Sequence, residues 1–237
     1  MSAIFKREVQ AYFKSPVAYC IISFFMVLMG LYFWNINIVN HSIEFTSTLA
    51  SMTTFLTFFA PIITMKLLSE EKKNGTEVLL KTSPVSMWKV VLGKYFASLV
   101  VFGVMVAVTL VCPFIMSFFV NDGGVFPLGM TVGGYIGFFL LGAAYLAVGT
   151  FASSVTESQP VAAVLGVIIL LAISFIESIG QQIKGTLGSI LVWVSLSSRY
   201  GDFASGLFSL TSVFYYLSFT AVVLFVTIMN IERKRWS

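Results

Sequence analysis

Long apolar runs alternate with short polar breaks along the whole chain. Runs at 17–39, 49–68, 90–119, 128–153 and 211–231 are long enough to cross a bilayer as helices, and 161–176 is about long enough. Pro113 lies inside the third run and predicts a kink or a break there. Residues 1–15 follow a different pattern. Ile4, Phe5, Val9, Tyr12 and Phe13 form one helical stripe, with Lys6, Arg7, Gln10 and Lys14 opposite. A basic amphipathic helix of this kind lies in the membrane interface, and Pro16 ends it. Residues 178–209 are too polar and glycine-rich to span, yet they hold Ile190, Leu191, Val192, Trp193 and Val194. Two short interfacial or re-entrant helices at the outer face fit them. The expected fold is all-α: a single polytopic membrane domain, 1–237, with six transmembrane helices.

Composition agrees. Apolar residues make up 58% and charged ones 10%, against about 25% charged in a soluble protein. With both termini inside, all but Lys184 and Arg199 of the 14 Lys and Arg fall on the cytoplasmic side. The positive-inside rule therefore predicts a multi-pass protein of the plasma (inner) membrane with cytoplasmic ends. The net charge of +4 then reflects topology and contact with anionic lipid, and no nucleic-acid partner is expected. Tyr19 is too bulky before Cys20 for a lipoprotein cleavage box, and no cleaved signal peptide is expected. Cys20 and Cys112 sit in apolar runs and read as ordinary thiols.

The most charged interruption is 65–94, whose central part, 66–89, forms a loop between the second and third spans. Ser69 can cap a short acidic turn at 70–73, and Asn74-Gly75 is a helix stop. Thr76 can cap a second short helix, 77–81, with Glu77 in its first turn and Lys81 four residues on. Ser83-Pro84 ends it and starts the next helix. Val78, Leu79 and Leu80 make one side of this extramembrane helix apolar, as a protein partner would require.

Elsewhere the candidates for function are few. Thr53, Thr54, Thr57, Thr64 and Pro61 mark the second span. They either satisfy carbonyls and shape a kink, or line a seam or path. Gly129, Gly133 and Gly137 recur every fourth residue as a small-residue packing face, within one subunit or between two. Glu177 and Asp202 either pair with Lys184 and Arg199 or are solvated. His41 is the one histidine and lacks a catalytic partner. Gly93-Lys94 lacks the lead and the hydroxyl of a phosphate loop, and no metal-ligand cluster or mid-span proton relay occurs. The chain is thus expected to be no enzyme and to carry no cofactor. No duplication relates its halves, which disfavours an inverted-repeat carrier.

The segment from Glu70 to Ser86, EEKKNGTEVLLKTSPVS, resembles the cytoplasmic loop of type-2 exporter permeases of the ATP-binding-cassette (ABC) class. Arg7-Glu8, Tyr12-Phe13, Ser15-Pro16 and the closing Arg233-Lys234-Arg235-Trp236 are similar to the gliding-motility (GldF-like) and nitrous-oxide-reductase-maturation (NosY-like) branch. Lys66 departs from the arginine commoner there. The resemblance implies two ABC ATPase subunits, with ATP and Mg bound on them and not on this chain. It also implies a second permease, as homodimer or heterodimer, and leaves room for an extracytoplasmic accessory subunit. Carried onto this loop, the ATPase contact falls on Glu70, Glu71, Gly75, Thr76, Glu77, Leu79, Leu80, Thr82 and Pro84. Membrane lipid is the remaining partner. From another class comes the alternative of a non-transporting anchor or regulator that recruits an ATPase or an assembly factor.

Overall fold

A computed structural model describes residues 2–76, 86–119, 126–183, 185, 186, 188, 192, 193 and 195–236. The described regular elements are all helical: α1 (Ser2–Lys14), α2 (Pro16–Phe33) with a π-helical end (Trp34–Val39), α3 (Phe45–Thr64), α4 (Lys66–Lys73) and α5 (Met87–Thr109). After these come α6 (Val111–Phe119), α7 (Leu128–Val155), α8 (Gln159–Gln182), α9 (Tyr200–Ala204) and α10 (Leu210–Trp236). Six helical stretches among them are long and apolar enough to cross a membrane. The chain is a polytopic, all-helical membrane protein.

α7 is the axis, with α3, α8, α9 and α10 packed around it. Its sequence allows this because Gly142, Ala144, Ala147, Gly149 and Ala152 are small and fully covered. Larger side chains from its neighbours fill the space they leave. Phe102 packs against Gly142, for example, and Phe203 against Gly137. Conversely, α2 and α8 bury little: Phe24, Val27 and Leu31, and Val164, Ile168 and Phe175, stand exposed. In water such faces would be a liability, whereas lipid tails solvate them at no cost.

Two proline effects show how the backbone is kept satisfied in an apolar medium. Pro113 has no N–H for the carbonyl of Thr109, so the helix breaks at Leu110, earlier than Pro113 itself. The freed Thr109 carbonyl accepts from the Tyr135 hydroxyl on α7 at 3.1 Å. Pro16 instead starts α2, where the Ser15 hydroxyl accepts from the Val17 N–H at 3.3 Å. In the π-helical end, buried Asn37 donates to the Ser42 carbonyl at 2.8 Å and accepts from Thr48 at 2.6 Å.

Several boundaries differ from those expected. The second apolar run begins earlier, at Phe45, and its helix continues after a turn at Met65 as α4. α8 does not stop at 176 but runs through Glu177 to Gln182, because nothing in Ser178-Ile179-Gly180 forbids a helix. The polar region after it contains the five-residue helix α9, and most of the apolar 190–194 segment lies outside the described residues.

Candidate functional site at the basic end of the bundle

Helices α1, α3, α4, α5, α7 and α10 converge at one end of the bundle. α1 lies beside α5, and α4 lies beside α7 and α8. The turn at Met65 between α3 and α4 interrupts the helix ladder, and side chains from elsewhere take its place. The Tyr12 hydroxyl on α1 donates to the Ile63 carbonyl at 2.6 Å. Ser153 Oγ on α7 accepts from the N–H groups of Leu68 and Ser69 at 3.0 and 3.1 Å and donates to the Met65 carbonyl at 3.0 Å. A single hydroxyl thus serves three backbone groups, a close substitute for the missing turn. Ser69 does not cap a helix as its sequence position suggests. It lies buried inside α4 and donates back to the Met65 carbonyl.

Gly149 explains the close approach behind this turn. A Cβ there would fall 2.1 Å from Thr64 Oγ1 and 3.2 Å from Pro61 Cα. No other residue allows α7 to touch α3 here. Gly166 on α8 meets the same Pro61 from the other side, its missing Cβ 2.9 Å from the ring. At the C-terminal end of α7, Lys72 donates to the Ser154 carbonyl. Asn230 on α10 reaches Ser154 Oγ at 3.1 Å. The ends of α4 and α7 thus meet the last helix at Ser154.

A four-charge network completes the site. Lys94, about two turns inside α5, has a side chain only 3% exposed. Its ammonium lies 3.2 Å from Glu8 on α1 and 2.9 Å from Glu71 on α4. Arg7 joins from the exposed side, 2.8 Å from Glu8 and 3.4 Å from Glu71. The four charges sum to zero, which is what makes burial of Lys94 tolerable. Burial pushes the Glu8 carboxyl up, but Lys94 and Arg7 outweigh it and hold the group below the ordinary carboxylate value. The Arg7 guanidinium is raised, chiefly by its hydrogen bond to Glu8. Burial also raises the Tyr12 phenol, which keeps it a proton donor to Ile63. Lys66 stacks over the Tyr12 ring at 4.2 Å.

Of the loop residues expected to contact a partner, Glu71 lies in this network. Glu70 is exposed one position before it. α4 ends at Lys73, and Gly75 takes a φ of +69°, the left-handed conformation that glycine adopts without strain. The Thr76 hydroxyl donates back to the Glu71 carbonyl at 3.2 Å. Glu77, Leu79, Leu80, Thr82 and Pro84 lie outside the described residues. The glycine stripe of α7 divides. Gly137 and Gly133 meet Phe203 of α9 within the same chain, whereas Gly129 has open space around it. Glu8, Lys94 and Ser153 escaped the sequence-based choice of site residues. Lys94 carried a signal: a lysine flanked by Gly93 and Tyr95 inside an apolar run demands a counter-charge.

Among the described residues no group of His, Cys, Asp and Glu is placed to hold a metal. What the four-charge network does is mechanical: it joins α1, α4 and α5 into one body. The sequence matches the family described as ABC-2 family transporter protein over residues 2–229. No curated protein matches the chain.

Proposed function

The chain belongs to the ABC-2 family of transporter proteins, and from that membership we propose that it is the permease half of an ATP-driven exporter of the GldF-like and NosY-like branch. Two permeases, identical or related, pair in the plasma membrane with both termini in the cytoplasm. Each seats residues 66–89 on one ABC ATPase, which binds ATP and Mg. The observation that carries this reading is the bridge from Glu71 to Lys94, with Glu8 on the same ammonium. A force applied to the loop at α4 reaches the third span through an ion pair and reaches α1 through the same lysine. The second span follows directly, because α4 continues α3 across the turn held by Ser153. Closure of the ATPases then tilts the second and third spans and opens or closes a path between subunits.

The decisive experiment is purification in mild detergent from the native membrane, followed by reconstitution. Co-purification of an ABC ATPase in about equal amount, and ATP-dependent movement of the co-purifying compound across the vesicle membrane, is the expected result. An ATPase that binds without any ATP-dependent transport would favour the anchor reading. No ATPase at all would overturn both.

A further inference from the structure

The end of the bundle opposite Lys94 carries a second cationic site. α8 starts beside the junction and α10 ends there, where Asn230 meets Ser154. The chain between Gln182 and Leu210 therefore lies at the far end. A pocket of about 510 Å³ opens there, lined by Gly185, Gly188, Trp193, Ser198, Arg199 and Asp202 among others. Arg199 is its charged wall. The guanidinium carbon lies 4.8 Å from the Trp193 ring centre and 4.6 Å from that of Tyr215, so two aromatic rings hold the group in place. Its one hydrogen bond is long, from Nη2 to the Trp193 carbonyl at 3.4 Å, and its buried Nε has no acceptor. Among the described residues no carboxylate lies within ion-pair distance of it. Asp202, three residues on and on the same helical turn, accepts from Ser212 at 3.0 Å and keeps its other oxygen.

A planar cation with most of its donors unused fits the oxygens of a phosphate. The surroundings restrict what carries that phosphate. Ile179, Ile183 and Trp193 are exposed around the pocket, an apolar rim suited to acyl chains and not to a free anion. We propose that Arg199 and Asp202 bind the headgroup of a phospholipid, Arg199 taking the phosphate and Asp202 the ammonium of an ethanolamine. Phosphate and ammonium are neighbours in that headgroup, as the two side chains are on their helical turn. Bound there, the lipid fixes the α8–α10 connection against the membrane surface. The site does not depend on transport and stands or falls apart from the function proposed above.

Native mass spectrometry of the detergent-purified chain tests it, with added dihexanoyl phosphatidylethanolamine, dihexanoyl phosphatidylcholine or inorganic phosphate. The wild type should bind the ethanolamine lipid best. Arg199→Gln should weaken both lipids by about ten- to a hundredfold, the loss of a charge-assisted contact. Arg199→Lys should fall between. Asp202→Asn should bring the two lipids to equal affinity while Arg199 still binds both. Unchanged binding by Arg199→Gln, an unchanged ethanolamine preference in Asp202→Asn, or displacement of lipid by equal inorganic phosphate would each overturn the proposal. If Arg199→Gln does not fold, the Asp202→Asn preference decides alone.

Discussion

The ammonium of Lys94 sits 2.9 Å from the carboxylate of Glu71, and this contact joins the end of the second span to the start of the third across the loop between them. The same ammonium holds Glu8 at 3.2 Å. Removing it leaves two carboxylates to share Arg7, on the exposed side. Lys94→Met should lower stability by about 2–4 kcal/mol, between the values for exposed and fully buried pairs. Thermal unfolding in detergent measures it. In a double-mutant cycle, Lys94→Met combined with Glu71→Gln should cost clearly less than the sum of the two. Strict additivity would show that the bridge carries no energy.

Glu8 makes the network sensitive to acid. Its folded-state value lies below the ordinary 4.5, so its contribution is fully present above that value. The contribution is lost as pH falls through the lowered folded value, because the unfolded state then binds the proton first. The stability gap between wild type and Glu8→Gln should thus be constant from about pH 6 to 8 and close on acidification below about 4.5. A gap that widens in acid would mean that Glu8 is not ion-paired.

Ser153 and Gly149 support the turn at Met65. Ser153→Ala removes the acceptor of two N–H groups and the donor to a carbonyl, and should cost about 1–3 kcal/mol. Gly149→Ala forces a Cβ onto Thr64 Oγ1, 2.1 Å away, with the next contacts only at 3.2 and 3.3 Å. Adding Thr64→Ala removes the worst contact and should restore much of the lost stability. If the pair is no better than Gly149→Ala alone, the clash lies elsewhere.

Coupling through the loop rests on Gly75 and Glu77. A β-branched residue at φ +69° is strained, so Gly75→Val should misdirect the chain after α4. Glu77→Arg should repel a basic surface on the ATPase. Both variants should insert normally, yet recruit less ATPase in pull-down and lose ATP-dependent transport, with Lys89→Gln as the unaffected control. Full recruitment and full transport in both would remove the loop from the mechanism.

Orientation is open to a direct test. In a background with Cys20 and Cys112 replaced, single cysteines at Ser42, Asn121 and Ser205 should react with an impermeant thiol reagent added outside sealed cells. One at Ser86 should not. Labelling at Ser86 would reverse or break the proposed topology.

The spans and the amphipathic first helix were legible in the sequence because each is written in local periodicity. The helix stop at Gly75 was legible for the same reason, since glycine after asparagine is a local signal. Contacts between residues far apart in the chain were not. Nothing local announces that Tyr12 will donate to Ile63 or that Ser153, one serine of several near its helix end, will replace a missing turn. Pro113 announced a break but not its place, because the break depends on Tyr135 being there to take the freed carbonyl of Thr109. The stripe of Gly129, Gly133 and Gly137 was legible as a pattern, yet among the described residues the last two alone meet a neighbouring helix, one too short to predict.

The buried lysine also sets an order of events at the ribosome. Glu8 leaves the exit tunnel 86 residues before Lys94, an interval of about 4–17 s at ordinary rates of synthesis. For that time Glu8 has only Arg7 beside it as a counter-charge, while the Ile63 carbonyl that Tyr12 takes is made before Lys94. The full set of α1 contacts is complete only when the third span folds back against it. This end is therefore completed late, and a lesion at Lys94 in the third span is felt in α1 at Glu8, made 86 residues earlier.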